Sequence, residues 1–201
     1  MWWTGLENCL TNYFKTVKKI STLFKKDPSD LGRIINEINP ENVWVFQGEG
    51  IATRKFDGTS SAIIHGILHK RYDVKKGRTA PENAVPCQDA DALSGHHPHW
   101  LPCDRTKKED RFFFEAFDSL PEIVDGTYEL CGPKVQGNPE NLDRHVLIPH
   151  GKEVIEITDF SFEAFRELLS DKTVNIEGIV FHHVSDGRMC KIRKRDFGVK
   201  R

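Results

Sequence analysis

The sequence has 201 residues and a mass of 23.1 kDa, which fits one domain, with or without an appendage, at ~100–200 residues per domain. Its 29 basic and 30 acidic residues nearly cancel, so bulk charge does not attract nucleic acid, and no apolar run reaches the ~18 residues of a membrane span. The five cysteines are scattered and odd in number, which is typical of reduced thiols. We expect a soluble, cytoplasmic protein with no membrane association and no obligate protein partner.

The first 40 residues are predicted to form a helical extension packed on the core. Apolar residues recur at helical spacing from Leu6 to Phe24, and a second stripe runs from Leu31 to Ile38 before Asn39-Pro40 ends it.

Residues 41–201 are predicted to form one α+β domain with antiparallel sheets. Short β-branched or aromatic runs separated by glycines predict strands at 43–46, 51–54, 60–64 and 67–72. Residues 73–110 are rich in Pro, Gly, His and charge, and predict a long loop or insertion at the mouth of a site.

Strand patterns resume after this segment, at 111–117, 126–130, 145–148 and 154–157. A helix is predicted over 159–169, with Asp159 or Ser161 as its cap. Two closing strands, 174–184 and 188–197, are joined by Ser185-Asp186-Gly187, a plausible hairpin turn.

The most informative stretch is Thr53-Arg54-Lys55-Phe56-Asp57-Gly58, in which a lysine ends a predicted strand and an aspartate and a glycine turn follow. Taken alone, such a string is common in turns and carries a high risk of a false match. Its significance therefore depends on what else the sequence contains.

Two carboxylates stand out further along the chain. Glu129 precedes the turn residue Gly132 and can accept a hydrogen bond from a sugar hydroxyl. Glu177 lies within the apolar run Ile176 to Phe181, and because an unpaired buried carboxylate is costly, it is predicted to have a cation or hydrogen-bond donors as partners.

A row of cations closes the chain. Residues 186–201 contain seven basic and two acidic residues, and strand alternation places Lys191, Arg193 and Arg195 on one face, with Cys190, Ile192 and Lys194 on the other. The alternative is a solvated edge strand protected by charge.

The order of these strings resembles the covalent nucleotidyltransferases, which comprise ATP-dependent polynucleotide ligases and RNA capping enzymes. KFDG, YELCG, EGIVF and CKIRKRDF are similar to their motifs I, III, IV and V. The further strings YELCGPKVQGNP, HVLIPHG and SGHHPHW look most like the vertebrate-type single-domain RNA ligases that join 5′-phosphate and 3′-hydroxyl ends. The resemblance covers about residues 43–198 and implies a nucleotidyltransferase (adenylation) fold around a nucleotide cleft, without an OB-fold domain.

The resemblance also implies residue roles. Lys55 would attack ATP and form a lysyl-adenylate, with Asp57 orienting it and Lys191 assisting. Mg²⁺ or Mn²⁺ would be held by Glu177. The nucleotide would also contact a further set of residues implied by the family pattern: Thr53, Arg54, Arg71, Glu129, Val180 and Arg193. Strict alternation would place Ile179 on the Glu177 face, and a bulge at Gly178 would reconcile this with the family's preference for Val180.

Other interpretations remain open. A minimal DNA ligase and a GTP-dependent capping guanylyltransferase share these motifs, although Ser60, where many DNA ligases have arginine, and Arg193, in place of a second lysine, weaken the DNA-ligase interpretation. An inactive RNA-binding module is the alternative of another class. The residues Cys87, His96, His97, His99 and Cys103 lack the spacing of common structural zinc sites, so loop packing around Trp100 or contact with RNA phosphate is favoured.

Overall fold

The computed structural model describes residues 20–90 and 95–201. The strands in this part of the chain are β1 (Ser21–Thr22), β2 (Phe24–Lys26), β3 (Ile34–Ile38), β4 (Gly50–Lys55), β5 (Thr59–Ile64), β6 (Ile67–Val74), β7 (Val85–Pro86), β8 (His97–Pro102), β9 (Gly126–Cys131), β10 (Val146–Pro149), β11 (Gly178–His183) and β12 (Met189–Arg193). The α-helices are α1 (Val43–Phe46), α2 (Arg111–Asp118) and α3 (Phe162–Ser170), and 3₁₀ turns span Pro40–Asn42, Lys108–Asp110 and Lys194–Phe197.

The described chain forms two units. Residues 58–149 form what we call the six-stranded unit, and residues 20–57 together with 150–201 form the four-stranded unit. Both contain sheets that are mostly antiparallel, so the predicted α+β class is confirmed.

The four-stranded unit has a sheet with the strand order β1-β12-β11-β4. β1 runs parallel to β12, and the other pairs are antiparallel. One face of the sheet presents Ile179 and Phe181, which are completely buried and pack in one core with Phe165 and Leu169 of α3. Each such side chain contributes ~1.5–3 kcal/mol by leaving water. Strand alternation therefore places the intervening residues on the other face.

α3 begins at Phe162, three residues after the predicted start at residue 159. Ser161 is its N-cap, and the Ser161 hydroxyl accepts a hydrogen bond from the amide of Ala164 at 3.2 Å. Of the two predicted caps, Ser161 is therefore the one used.

The six-stranded unit has the order β10-β9-β5-β6-β8-β7, with every pair antiparallel. α2 packs on one face of this sheet, where Phe113 and Ala116 meet Ile63, Leu68 and Leu130.

Several predicted elements are wrong in type. Residues 31–38 form no helix: Leu31 is 66% exposed, and Ile34 and Ile38 pair with Lys26 and Phe24 as strand β3. Residues 43–46 form α1 instead of a strand, and residues 111–117 form α2 instead of a strand. The part of the predicted N-terminal helix before residue 20 lies outside the described residues.

Other predictions are wrong in extent. The segment 73–110 is not one long loop, because β6 continues to Val74 and the segment also contains β7 and β8. Residues 154–157 contribute a single bridge, between Val154 and Thr53. The closing strands are shorter than predicted and run over Gly178–His183 and Met189–Arg193. The hairpin turn between them forms as predicted, with Gly187 at a φ of 74°.

Within the described ranges, no helix is both long and apolar enough to cross a bilayer.

Candidate active site

Five of the predicted site residues share one face of the four-stranded sheet. In β4, Lys55 is paired with Gly178 and Thr53 with Val180. In β12, Arg193 is paired with Gly178 and Lys191 with Val180. Side chains directly opposite one another in a sheet lie on the same face. The residues brought together on this face, which we call the lysine face, are Thr53, Lys55, Val180, Lys191 and Arg193.

Lys55 forms an ion pair with Glu177. Its Nζ donates a hydrogen bond to a carboxylate oxygen of Glu177, and also to the carbonyl oxygen of Phe56 at 3.3 Å. Burial raises the pKa of Glu177. The positive charges of Lys55 and Arg193 act against this rise, and the negative charge of Asp57 adds to it. The predicted cation partner of Glu177 is thus the lysine of the KFDG string.

Lys191 adds a second amine to the lysine face. Burial, together with the charges of Arg193 and Lys55, lowers its pKa to about 8. A lysine amine that is partly buried from solvent and lies near other cations binds its proton weakly.

Arg193 is held in place by Asp196, a residue that the sequence did not indicate as part of the site. Asp196 is completely buried, and its carboxylate accepts hydrogen bonds from the guanidinium of Arg193 at 2.8 and 3.2 Å and from Lys26 at 2.9 Å. Burial disfavours its charge, but the hydrogen bonds from Arg193 and Lys26 outweigh burial and lower the pKa of this carboxyl.

The predicted cation row ends at Arg193. Beyond it the chain turns into a 3₁₀ helix, in which Arg195 is exposed and Lys194 is buried. Lys194 donates hydrogen bonds to the carbonyl oxygens of Val174 at 2.6 Å and Asp171 at 3.2 Å, a structural role. The prediction that Arg195 joins the row is therefore wrong, because strand alternation stops with the strand.

Val180 lies on the lysine face, and Ile179 is completely buried in the core on the other face. The register from Gly178 to His182 is continuous with both neighbouring strands, so the bulge expected at Gly178 is not present. Glu177 precedes the strand, and strand alternation therefore does not apply to it. The role of Val180 as the surface under the base stays a prediction.

Arg54 and Asp57 stand apart from the lysine face. Arg54 lies on the opposite face of β4 from Lys55, and its guanidinium donates hydrogen bonds to Glu153 at 3.1 Å and to the carbonyl oxygen of Asn175 at 3.2 Å. Asp57 follows the strand and lies 3.5 Å from the guanidinium of Arg201.

Glu129 and Arg71 belong to the six-stranded unit. Glu129 is paired with Ser60, and its carboxylate accepts a hydrogen bond from the amide of Gly58 at 3.1 Å. Arg71 is exposed and donates a hydrogen bond to Asp73 at 3.1 Å. Ser61 is paired with Lys70 on one side and with Tyr128 on the other, so these three side chains share a face. Arg71 and Glu129, the next residues after Lys70 and Tyr128, therefore share the opposite face of this sheet.

His182 also lies on the lysine face, and sequence reasoning missed it. Its Nε2 lies 3.0 Å from the hydroxyl oxygen of Thr53. The alternation of Val180 and His182 along a strand is the signal that could have identified it.

Two carboxylates lie near Lys55 and could contribute to a metal site. Glu177 and the neighbouring Asp57 carry carboxylate oxygens, the type of ligand that Mg²⁺ prefers. Across residues 20–90 and 95–201 no group of three or more side chains is arranged to hold a metal by itself. Burial raises the pKa of Cys87 to about 11 and that of Cys103 to about 12.

A lysine in contact with a carboxylate, flanked by two further cations, is a set of groups suited to nucleophilic attack on phosphorus. The sequence pattern of the family described as RNA ligase 1 matches residues 105–201. The chain is similar to RNA ligase 1 of Danio rerio, with 30% identity over 156 residues, 61% of this chain and 46% of that protein. It is also similar to RNA ligase 1 of Pongo abelii, with 28% identity over 195 residues, 73% of this chain and 59% of that protein.

The matches confirm the predicted resemblance to an RNA ligase family. The chain spans about half the length of the relatives it matches.

Proposed function

We propose that this chain carries the adenylating site of an ATP-dependent RNA ligase that joins 5′-phosphate and 3′-hydroxyl RNA ends. The observation that carries the proposal is the ion pair of Lys55 and Glu177 beside Lys191 and Arg193 on one sheet face. The similarity to RNA ligase 1 proteins supports it. The fold is accordingly interpreted as a nucleotidyltransferase domain.

Lys55 is the proposed nucleophile. Its amine attacks the α-phosphorus of ATP, so that an N–P bond forms and the bond to pyrophosphate breaks. The carboxylate of Glu177, which contacts Nζ, is placed to receive the lysine proton. AMP then passes to the RNA 5′-phosphate, and a 3′-hydroxyl displaces it to complete the joint.

Lys191 and Arg193 have an electrostatic role in this proposal. Preformed cations offset the charge of the phosphates as the bond order changes, with little reorganisation. Asp196 keeps the Arg193 guanidinium in position. Mg²⁺ or Mn²⁺ held by Glu177 would supply further charge neutralisation. Arg71 and Glu129 are the proposed phosphate and ribose contacts of the six-stranded unit.

The first test asks whether a covalent adenylate forms on Lys55. Wild-type protein is incubated with α-labelled ATP and Mg²⁺, denatured, and examined for protein-bound label. We expect Lys55→Ala to lose at least about 10³-fold of the labelling rate, because no other group replaces the nucleophile. Lys25→Ala is the matched control. Lys25 also forms an ion pair, with Glu37, in which the nitrogen and the carboxylate oxygen are 2.8 Å apart, and it does not belong to the lysine face.

Two results would overturn the mechanism: a wild-type protein that takes no label from either ATP or GTP, or a Lys55→Ala variant that labels as well as wild type. Labelling by GTP alone would favour the capping guanylyltransferase. Sealing of nicked DNA in preference to RNA ends would favour the minimal DNA ligase. RNA binding without label would favour the inactive module.

A further inference from the structure

The lysine face has a charged end and a neutral end. At one end, Lys55 and Arg193 flank Gly178. At the other end, four residues away along each strand, the last row consists of Ile51, His182 and Met189. At ~3.4 Å per residue the two rows are about 14 Å apart. A nucleotide has the same polarity, with charged phosphates at one end and a neutral base at the other. Phosphate at Lys55 therefore directs the base towards His182.

Hydrogen bonding fixes which nitrogen of His182 carries the proton. The carbonyl oxygen of Val180 can only accept, so we assign to it the single hydrogen of the Thr53 hydroxyl, across 3.2 Å. With that assignment, the contact between the Thr53 oxygen and His182 Nε2 at 3.0 Å uses a hydrogen on the ring nitrogen. Nε2 is the donor, and Nδ1 is left as an acceptor.

The ring is both neutral and fixed in place. Burial lowers the pKa of His182, and the neighbouring His150 lowers it further, so the imidazole is uncharged near neutral pH. Gly151, at a φ of 74°, lies against the ring, since a Cβ there would lie 3.4 Å from Cε1. In the described part of the chain no residue donates a hydrogen bond to Nδ1. Nδ1 is therefore an acceptor that has no protein donor among the described residues.

We propose that His182 is the residue that selects adenine, with Nδ1 accepting a hydrogen bond from the exocyclic 6-amino group of the base. The inference rests on the proposed function, because Lys55 must bind the α-phosphate for the base to reach His182. Adenine carries an amino donor at position 6, whereas guanine and hypoxanthine carry an oxygen acceptor there. Two acceptors facing each other leave both unpaired, so a 6-oxo base is disfavoured.

The test compares three labelled nucleotides in the adenylation step: ATP, purine riboside triphosphate, which has hydrogen at position 6, and ITP, which has oxygen. For wild type we expect kcat/KM for ATP to exceed that for purine riboside triphosphate about tenfold and that for ITP about 100-fold. For His182→Ala we expect both ratios to fall to about twofold. His183→Ala is the matched control, because His183 is next in the strand, on the other face, and contacts Glu49 at 3.0 Å.

A second variant keeps the inference testable if His182→Ala does not fold. Thr53→Val removes the hydroxyl that contacts the ring. We expect the kcat/KM ratios of ATP to the other two nucleotides to be smaller in this variant than in wild type. Equal nucleotide ratios in wild type and a folded His182 or Thr53 variant would overturn the inference while leaving the proposed function standing. Absence of label from all three nucleotides in wild type would instead overturn the proposed function.

Discussion

Lys191 holds an ammonium group in a partly buried, cationic environment. Burial, with help from Arg193 and Lys55, lowers its pKa to about 8, whereas a lysine in an unfolded chain has a pKa of about 10.4. Between these pH values the unfolded chain binds more protons than the folded one. The contribution of Lys191 to stability therefore rises with pH across this window and is lowest below pH 8.

Replacing Lys191 by methionine should remove this dependence. We expect the free energy of unfolding of wild type, relative to Lys191→Met, to increase by about 1–3 kcal/mol from pH 8 to pH 10. Urea denaturation at each pH measures it. Lys25→Met is the matched control for the loss of one exposed lysine. The prediction is contradicted if the free energy of unfolding of wild type, relative to Lys191→Met, stays constant or decreases from pH 8 to pH 10. It is also contradicted if this difference increases equally relative to Lys191→Met and to Lys25→Met.

At the residue scale, the sequence identified the groups with a distinctive local string and missed those whose importance arises from contacts. Lys55 and Glu177 each stood in a recognisable string, and the structure pairs them. Asp196 and His182 have no such string. Asp196 matters because Lys26, 170 positions away, and Arg193 both donate to it.

At the element scale, Gly178 lies where the backbone of β12 passes close to that of β11. A Cβ on this residue would lie 2.2 Å from the carbonyl oxygen of Ile192 and 2.8 Å from the Cα of Arg193. Both are backbone atoms of the paired strand, which cannot move aside without disturbing the pairing that carries Lys191 and Arg193. Glycine is therefore required at this position by the close approach of the backbones.

Gly178→Ala should accordingly destabilise the protein by about 1–3 kcal/mol, the usual cost of overpacking, and weaken the β11–β12 pairing. Thermal unfolding measures the loss. Gly77→Ala is the control, because its Cβ would enter open space and the only cost is about 1 kcal/mol for a side chain at a φ of 76°. The prediction fails if Gly178→Ala is no less stable than Gly77→Ala.

The wrong element predictions have a common cause. Residues 111–117 contain four aromatic residues, which favour strands by propensity, yet they form α2 because Phe113 and Ala116 meet the core at helical spacing. Residues 31–38 show helical spacing, yet β3 pairs with β2 and leaves Leu31 exposed. Short segments take the structure that their partners stabilise, and local pattern alone does not reveal the partners.

At the scale of the whole described chain, most of the buried apolar residues lie in two large cores. One surrounds Ile179 and Phe181 in the four-stranded unit, and the other surrounds Ile63 and Leu130 in the six-stranded unit. In each sheet the central strands have hydrogen-bonded neighbours on both sides, while β7, at an edge, is two residues long and exposed. Resistance to local opening should follow this distribution.

Amide hydrogen exchange tests this expectation. We expect the slowest exchange in β5, β9, β11 and β12, and exchange at least about 100-fold faster in β7 and in residues 75–84, which lie between β6 and β7. Mass spectrometry of peptides or NMR gives the rates. Protection in β7 equal to that in β5 would show that the distribution of buried contacts does not govern opening.

The sequence by itself determined the α+β class, the order of the chemical strings and the alternation that puts Lys191 and Arg193 on one face of a strand. These depend on neighbours in the chain, whose geometry is fixed by the backbone. Only the tertiary structure decided that Glu177 meets Lys55, that Asp196 holds Arg193 and that Thr53 orients His182. Those contacts join residues far apart in sequence, and they depend on strand register and burial, which no local pattern encodes.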